Sequence, residues 1–458
     1  MTRGSLERPV GVGLLGCGNV GAALVQLLAD DSGIEARSGM RLRLAGVAVA
    51  DTARQRQGVP PELLTGDADA LVASDDVEVV VELIGGLDPA RRLVEAALRA
   101  GKPVVTANKE LLGTHGASLA SLADDAGVDL LYEAAVAGAI PLVRVLRESL
   151  AGEQVRRVTG IVNGTTNFIL TMMSDRKMDY ADVLAEAQHL GLAERDPTAD
   201  VEGHDAAAKA AIIASLAFRC DIGAPQVPRE GISAIRPLDI AFAEQLGYVV
   251  KLLAVAERVD HLDRREPGRA NGTGDPFDAS GPPVPEVSVR VHPAMLPRSH
   301  PLAAVRGAFN AVFVEGESCG EMMLYGRGAG GKPTASAVLG DLLDAAHHLR
   351  AGTSATLVPR ASVRLRPAAD LRCAWYIAID VADRPGVLAA VATVFGDHGV
   401  SIRSMEQVGL GDEARLIFVT HVAREGDVRT TLEALGSLDV VENIGGVLRV
   451  AGDDEEAS

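Results

Sequence analysis

Cysteine, aromatic residues and basic charge are all scarce in this sequence. Its four cysteines among 458 residues are far apart and form no CxxC pair, which excludes a disulfide scaffold and a zinc ribbon. Aromatic residues make up 3%, too few to build a stacking platform for single-stranded nucleic acids. With 44 basic and 62 acidic residues the net charge is −18, so we expect no nucleic-acid partner.

Long hydrophobic runs are missing as well. The longest uncharged stretch, residues 9–29, contains five glycines together with Asn19 and Gln26, unlike a signal-peptide core or a membrane-spanning helix. We therefore expect no membrane association. The cysteine usage favours the cytoplasm, where thiols stay reduced.

Lysine is the rarer of the two strongly basic residues. Arginine stays protonated in proteins, whereas the pKa of a lysine can be shifted until it serves as a proton donor. Each lysine is therefore a candidate for proton transfer. The six lysines are Lys102, Lys109, Lys177, Lys209, Lys251 and Lys332.

The order of apolar segments predicts an α/β protein. At roughly 150 residues per domain the length suggests about three domains. Strands alternate with helices through residues 1–145, which predicts a Rossmann-type doubly wound parallel sheet. Residues 146–305 predict a mixed α+β domain, in which the Pro/Gly/Asp-rich stretch 262–284 is a surface loop.

The C-terminal part predicts a smaller, separate domain. Residues 351–373 have the composition of a linker, and residues 374–451 form a βαββαβ pattern typical of a ferredoxin-like fold. The expected elements are strand Trp375–Val381, helix Val387–Phe395, strand Val400–Val408, strand Arg415–Val422, helix Val428–Leu435 and strand Val440–Val450.

The segment "GCGNVG" fits the pattern G-x-G-x-x-G. It follows an apolar strand and opens a helix, the context in which Gly16 permits the turn, Gly18 lets a pyrophosphate approach and Gly21 allows close packing. The motif therefore predicts dinucleotide binding. The alternative is a glycine turn that serves packing alone.

Which dinucleotide binds is left open by the second strand. Asp51 at its end would bind the adenosine 2′-hydroxyl of NAD, whereas Arg54 and Arg56 just beyond could hold the 2′-phosphate of NADP. Both arginines could equally be ordinary surface charges.

The most informative segment is "GLAERDPTADVEGHDAAAKAAIIASLAF". It begins with five acidic residues between Glu194 and Asp205, which suit a substrate that carries an ammonium group. From Ala206 the pattern predicts a helix that is apolar on nearly every side and hence buried. Lys209 lies in this helix one turn after Asp205, so the pair predicts a tunable proton donor. The alternative is a surface ion pair.

Two further segments predict parts of a site. "NGTTNF" (163–168) follows a strand and forms either a polar wall of the site or simply a capped helix start. "TANKE" places Lys109 at the C-terminal end of a parallel strand, where open α/β sheets bind ligands. An exposed lysine without a function is the alternative.

At these motifs the sequence closely resembles homoserine dehydrogenases, in the form with a C-terminal ACT domain. We expect no fused aspartokinase, because only nine residues precede the strand at Val10. The resemblance spans about residues 10–345 and rests on "GLLGCGNVG", "VELIGG", "TANKELL", "YEAAVAGAIP", "NGTTNFIL", "GLAERDPTADVEGHDAAAKAAI", "HPLA" and "YGRGAGGKPTASAVLGD".

The resemblance implies NAD(P)H-dependent reduction of L-aspartate 4-semialdehyde to L-homoserine, in the biosynthesis of threonine, methionine and isoleucine. It implies that Lys209 protonates the forming alkoxide and that Lys109 lies where cofactor and substrate meet. Glu194 would bind the substrate's amino group, and Asp200 and Asp205 would shape that pocket.

The resemblance also implies that residues 306–350 complete the Rossmann-type domain and that residues 146–305 are the catalytic and dimerisation domain. It further implies a nucleotide site and a structural sodium ion held by oxygen ligands. One departure concerns Ala50, where family members often carry an arginine that faces the 2′-phosphate, so either NADP or NAD is expected, with NADP slightly favoured. The nucleotide residues are Gly16, Cys17, Gly18, Asn19, Val20, Gly21, Gly85, Thr106, Lys109 and Gly328, and the sodium residues are Glu133, Val136, Gly138 and Ile140.

The C-terminal domain resembles an ACT domain. Its turn Asp383–Gly386 leads into a helix whose N-terminus would bind an amino acid, and threonine is the expected inhibitor. Alternatively the domain serves only oligomerisation, and a homodimer or homotetramer is expected.

Two other functions compete with this interpretation: an amino-acid sensor with a degenerate dehydrogenase half, and a related amino-acid dehydrogenase with another substrate. The intact Lys109, Glu194, Asp205 and Lys209 argue against the first, and the "NGTTN" and "ERDPTADVEGHD" motifs argue against the second.

Overall fold

A computed structural model gives the fold of the chain. It describes residues 8–29, 31–56, 58–259, 284–355, 361–409 and 413–452. The predicted loop 262–284 therefore lies outside the described residues except for its last residue. The contacts divide the chain into two compact units: one comprises Met1–Val158, Ala208–Val227 and Asn310–Ala361, and the other comprises Thr159–Ala207, Pro228–Phe309 and Ser362–Ser458.

The strands are β1 (Val10–Leu15), β2 (Leu42–Ala48), β3 (Leu64–Thr65), β4 (Val79–Glu82), β5 (Val104–Thr106), β6 (Leu130–Leu131), β7 (Val155–Ile161), β8 (Tyr248–Val259), β9 (Glu286–Pro297), β10 (Phe309–Gly316), β11 (Gly320–Arg327), β12 (Arg364–Leu365), β13 (Arg372–Ala382), β14 (Ile402–Gly409), β15 (Glu413–Thr420), β16 (Ala423–Arg424) and β17 (Val441–Val450). The helices are α1 (Asn19–Leu28), α2 (Asp31–Ser38), α3 (Ala68–Ala73), α4 (Ala90–Arg99), α5 (Lys109–Ala126), α6 (Leu142–Arg144), α7 (Gly164–Arg176), α8 (Tyr180–His189), α9 (Thr198–Val201), α10 (His204–Ala217), α11 (Pro237–Gln245), α12 (Gly331–Ala351), α13 (Val387–Asp397) and α14 (Glu425–Gly436).

The first unit contains a six-stranded parallel sheet in the order β3-β2-β1-β4-β5-β6. Strands β1 and β4 are buried along their whole length, as expected for a sheet covered by helices on both faces. The predicted doubly wound fold is thus confirmed. Two details differ: β2 ends at Ala48, three residues before Asp51, and the two-residue strand β3 is too short to leave a pattern in the sequence.

Helix α12 packs against α1 in this unit. Apolar residues at one-turn spacing, such as Val338 and Leu342, join Leu24 of α1 in one core with β1 and β4. The tight contact is possible because residue 331 is a glycine; a Cβ there would lie 3.0 Å from the Asn19 carbonyl oxygen. The start of α12 therefore lies beside the start of α1.

The second unit contains a sheet in the order β8-β9-β17-β13-β15-β14. Its C-terminal portion, β13-α13-β14-β15-α14-β17, is antiparallel and confirms the predicted ferredoxin-like fold, with β16 as a short addition. Its core includes Phe395 and Phe418, whose ring centroids are 4.9 Å apart.

Two strands from the C-terminal part of the chain pair with β9. Strand β17 pairs with β9 in parallel, through Arg449 opposite Ala294 and Val450 opposite Met295. Strand β12, which lies within the predicted linker 351–373, also pairs with β9 in parallel. The ferredoxin-like portion therefore continues a larger sheet. Among the described helices, none has the length and apolarity needed to cross a membrane.

Candidate active site

The glycine turn between β1 and α1 has the geometry of a dinucleotide site. Gly16 has φ +88°, and a Cβ there would lie 2.7 Å from the Leu83 carbonyl oxygen. A Cβ on Gly21 would lie 2.7 Å from the Gly16 carbonyl oxygen, whereas a Cβ on Gly18 would meet no more distant part of the described chain within 4 Å. Packing therefore explains Gly16 and Gly21, whereas the space beside Gly18 is open.

The first turn of α1 is open to an anion. Its N-cap is Gly18, no side chain caps its backbone N–H groups, and no acidic residue lies in the turn. Such a helix start binds phosphate because its N–H groups and the helix dipole both favour negative charge.

A buried carboxylate joins the ends of β4 and β5. Glu82 accepts hydrogen bonds from the backbone N–H groups of Ile84 (2.7 Å) and Gly85 (3.1 Å) and from the Thr106 hydroxyl (2.6 Å). It thus fixes the predicted nucleotide residues Gly85 and Thr106 against each other. The sequence analysis missed Glu82, although an acid that ends the apolar run "VVV" was an available signal.

Lys109 is the first residue of α5, immediately after β5. Asn108 caps this helix, with its Oδ1 accepting from the Leu111 N–H (3.0 Å) and its Nδ2 donating to the Gly86 carbonyl (2.7 Å). Lys109 itself is exposed, as both interpretations of it allow. A positive charge at a helix N-terminus opposes the helix dipole, so this position favours a functional use of the lysine.

Of the charged residues after β2, Arg56 lies near enough to the glycine turn for its charge to act on Cys17. Burial raises the pKa of the Cys17 thiol, and the charge of Arg56 partly offsets that rise. The Nε of Arg56 is buried and has no hydrogen-bond partner within the described chain. By contrast Arg54 is exposed, and Asp51 is an exposed turn residue whose carboxylate accepts from the Ala53 N–H (3.0 Å).

Gly328 lies in close contact with the loop that carries Gly138. A Cβ on Gly138, whose φ is +60°, would lie 2.3 Å from the Gly328 carbonyl oxygen, and a Cβ on Gly328 would overlap the Asn310 side chain. The Ala139 N–H donates to the Arg327 carbonyl (3.1 Å). Only glycine fits at both positions, so the two segments are held backbone against backbone.

Glu133 is buried at the start of α6. Its carboxylate oxygens accept from the backbone N–H groups of Val143 and Arg144, both at 2.8 Å, and burial raises the pKa of this carboxyl. Within the described ranges no three His, Cys, Asp or Glu side chains converge on a metal position. A cation here would therefore depend on Glu133 and on carbonyl oxygens of Val136, Gly138 and Ile140, a donor set that fits a hard ion.

In the second unit, Asn163 connects two of the predicted acids. It caps α7 through its Oδ1, which accepts from the Thr166 N–H at 2.9 Å, so the helix-cap interpretation of "NGTTNF" is confirmed. Its Nδ2 donates to Asp200 Oδ1 at 2.7 Å and to Asp205 Oδ2 at 2.9 Å. Asp200 and Asp205 thus lie close together, joined by an Asn163 to which the sequence analysis assigned no contact with them.

Asp205 and Lys209 lie four residues apart on α10. Their exposed fractions are 6% and 9%, so the alternative of a surface ion pair is wrong. The expected burial of this helix is confirmed, since the residues around them, Ala206, Ala207, Ala210 and Ala211, are buried too. Glu194, in contrast, is exposed, and its carbonyl accepts from the Gln188 side chain at 3.0 Å.

A glycine turn on a parallel sheet and a buried lysine beside carboxylates are the features of a dinucleotide-dependent enzyme. Models of protein families agree: residues 16–133 match the homoserine dehydrogenase NAD-binding domain, residues 141–343 match homoserine dehydrogenase, and residues 375–440 match the ACT domain.

Homoserine dehydrogenases resemble the chain over nearly its whole length. The protein of Corynebacterium glutamicum is 48% identical over 446 residues, covering 97% of this chain and 96% of that protein. The protein of Mycobacterium tuberculosis is 47% identical over 454 residues, covering 97% and 98%. A solved homoserine dehydrogenase from Thiobacillus denitrificans superposes with a TM-score of 0.86 at 37% identity, covering 97% and 98%.

The chain belongs to the homoserine dehydrogenase family. It is an oxidoreductase that acts on a CH–OH group with a nicotinamide cofactor, and it carries a C-terminal ACT domain. A hyperthermophilic archaeal homoserine dehydrogenase, solved in complex with NADPH, is similar at 27% identity with a TM-score of 0.59, covering 74% of this chain and 98% of that one.

Proposed function

We propose that this enzyme reduces L-aspartate 4-semialdehyde to L-homoserine on the route to threonine, methionine and isoleucine. The observation that carries the proposal is the buried Lys209, one helical turn after an Asp205 that is hydrogen-bonded, through Asn163, to Asp200. A lysine so placed can keep its proton at a buried position and give it up to a reacting oxygen.

The roles of the residues follow from the chemistry. Bound NAD(P)H supplies a hydride to the aldehyde carbon. Lys209 donates its proton to the aldehyde oxygen as negative charge develops there, and Asp205 holds the lysine in its charged form. The exposed Glu194 and the half-buried Asp200 supply negative charge for the ammonium group of the substrate. Lys109 holds the substrate at its junction with the nucleotide.

The cofactor is either NADPH or NADH, with a modest preference for NADPH. Gly16, Cys17, Gly18, Asn19, Val20 and Gly21 form the turn and helix start that hold the pyrophosphate, while Gly85, Thr106 and Gly328 complete the nucleotide site. The partly buried Arg56, whose charge acts on Cys17 of the glycine turn, supplies a positive charge for the 2′-phosphate. Because Ala50 offers no charge, that preference rests on a single arginine.

A sodium ion is proposed at Glu133, with the carbonyl groups of Val136, Gly138 and Ile140. One carboxylate charge suits a monovalent cation, and Ala137 and Gly138 both adopt left-handed conformations, with φ of 57° and 60°. The ion would stabilise the loop that contacts Gly328 and would take no part in the chemical step.

The ACT domain is proposed to bind threonine and inhibit the enzyme. Gly386, at φ +91°, is the N-cap of α13 and leaves its first turn without a side-chain cap, which suits the carboxylate of an amino acid. A homodimer or homotetramer in the cytoplasm is part of the same proposal.

Turnover of L-homoserine tests the proposed reaction. The purified chain is expected to reduce NADP⁺ and NAD⁺ with L-homoserine, and to oxidise NADPH with L-aspartate 4-semialdehyde. Threonine, whose hydroxyl is on the β carbon, and serine, whose side chain is one carbon shorter, serve as comparison substrates and are expected to be inactive. Activity with one of them and none with homoserine would favour another amino-acid dehydrogenase. A chain that binds nucleotide and turns over none of them would favour the sensor.

A further inference from the structure

The amide of Asn163 uses both of its ends at once. Its oxygen accepts from the Thr166 N–H at 2.9 Å and from the Thr166 hydroxyl at 3.0 Å, which fixes which end of the amide is which. Its nitrogen carries two hydrogens, and each has a carboxylate acceptor: Asp200 Oδ1 at 2.7 Å and Asp205 Oδ2 at 2.9 Å. With 5% of its surface exposed, the residue has little water to replace any of these partners.

Two carboxylates that approach one point repel each other unless a donor lies between them. Asp200 is on the short helix α9 and Asp205 is on α10, and the turn at Gly203, with φ +77°, separates them. The Asn163 amide is anchored at the start of α7, where the cap prevents its rotation. It therefore sets the distance and orientation of the two acids from a rigid element.

We propose that Asn163 is a positioning residue of the reaction, which aligns Asp200 and Asp205 for the amino-acid substrate. The inference rests on the proposed function, because it assigns those acids to substrate binding and to the proton donor. A displacement of a reacting group by about 1 Å can lower a rate by about 100-fold, so a residue that touches no substrate can still control turnover.

Helix capping and positioning can be separated by substitution. Serine and aspartate cap helices about as well as asparagine does, so Asn163→Ser and Asn163→Asp both keep the start of α7. Neither can donate two hydrogen bonds through an amide nitrogen, and Asn163→Asp adds a third carboxylate to the pair. A matched control is Asn443, whose Nδ2 donates to Asp380 Oδ2 at 3.3 Å in the ACT domain, with the variants Asn443→Ser and Asn443→Asp.

Steady-state kinetics with both substrates varied give the decisive readout. For Asn163→Ser we expect kcat/KM for the amino-acid substrate to fall about 10- to 100-fold, with a raised KM for that substrate and a nucleotide KM within about twofold of wild type. Asn163→Asp is expected to lose at least as much. The Asn443 variants are expected to match the wild type, and urea midpoints of the Asn163 variants are expected to stay close to it.

Three outcomes would overturn the inference. Wild-type kinetics in both Asn163 variants would show that the residue only caps α7. A lower kcat with both KM values unchanged, in proportion to a smaller folded fraction, would show a role in stability alone. An inactive wild-type chain would overturn the proposed function and this inference with it, whereas an active wild type with either of the first two results removes only the inference.

Discussion

Individual lysines differ in what their ammonium groups contact. Lys102 donates to two backbone carbonyls at 2.7 Å, Lys177 pairs with Glu244, and Lys251 donates to the Asn167 side chain at 2.8 Å. These three have structural partners. These lysines thus make specific contacts, as their scarcity suggests. The sequence could not separate structural from chemical uses of lysine, because the partners come from distant parts of the chain.

Arg56 and Arg54 form a natural pair for testing cofactor preference. Arg56→Gln is expected to lower kcat/KM for NADPH about tenfold, roughly 1.4 kcal/mol, and to leave NADH unchanged, because only NADPH carries the 2′-phosphate. The exposed Arg54→Gln is the control and is expected to change neither value. An NADPH effect in Arg54→Gln and none in Arg56→Gln would assign the phosphate to the other arginine.

Glycine positions were more predictable than acidic ones. The motif alone predicts distinct roles for Gly16, Gly18 and Gly21, and the close contacts that a Cβ would make at Gly16 and Gly21 match the predicted turn and packing roles. Glu82 was missed because an acid at the end of a strand does not reveal that three donors converge on it. Asn163 was placed correctly within a polar segment, but its contact with two acids depends on α9 and α10, which the local sequence does not position.

Strands and helices with strong apolar patterns agree with the sequence analysis. The buried α10 and the strands β1, β4 and β5 follow from runs of apolar residues. The end of β2 was placed three residues too late, because Val49 and Ala50 continue the apolar pattern, whereas the strand ends at Ala48, although the Val49 N–H still donates to the Thr65 carbonyl (2.9 Å). Such errors at element ends are expected wherever the apolar pattern of the sequence extends beyond the residues that pair with a neighbouring strand.

Strand β8 carries a buried lysine that should make stability depend on pH. Burial chiefly, and the charge of Arg306 secondarily, lower the pKa of Lys251 from 10.5 to about 8. Between these two values the unfolded chain binds more protons than the folded one, so the free energy of unfolding rises with pH across that window. The full rise amounts to about 3 kcal/mol.

Lys251→Met removes this titration. Urea unfolding of both proteins at several pH values is expected to show the wild type gaining stability relative to the variant from about pH 8 to 10.5. Titratable groups that both proteins share affect both free energies of unfolding equally, so they cancel when the two values are subtracted. If the difference in the free energy of unfolding between wild type and variant did not change with pH in that range, the lowered pKa of Lys251 would be contradicted.

At the scale of the whole molecule, the sequence predicted the order of the folds but not all of their connections. The βαββαβ portion was read correctly from its alternating strands and helices. Its pairing with β9 was not, because a parallel contact of two residues between segments 155 positions apart leaves no local signal. Removing the ACT domain would therefore expose an edge of β9, so point variants test regulation better than truncation does.

Arg449 is the centre of the contact between the ACT domain and the rest of the second unit. Its guanidinium is buried 4.7 Å from the ring centroid of Trp375 and forms two hydrogen bonds with Glu230, at 2.7 and 2.8 Å. Two residues further, the Ile232 N–H donates to the carbonyl of Val201, which neighbours Asp200. This chain of contacts links Arg449 of the ACT domain to the neighbour of Asp200, and we propose it as the route of regulation.

Glu230→Gln is expected to weaken threonine inhibition while leaving activity without threonine unchanged. The substitution removes one charge from the contact with Arg449. Allosteric couplings are usually about 1–3 kcal/mol, and we expect part of the coupling between threonine binding and activity to be lost. Inhibition curves of the wild type, Glu230→Gln and the exposed control Glu433→Gln measure it. Unchanged inhibition in Glu230→Gln would exclude this contact as the route. A wild type indifferent to threonine would favour a purely structural ACT domain.

The most direct test of the account is the rate of Lys209→Met with L-homoserine. Methionine keeps the apolar length of the side chain in the buried helix but has no proton to exchange, so kcat is expected to fall about 10²- to 10⁴-fold. The dissociation constant of the nucleotide is expected to stay within about twofold, and Lys177→Met, at a lysine paired with Glu244, is expected to retain wild-type activity. A kcat for Lys209→Met close to that of the wild type would contradict the assignment of the proton donor.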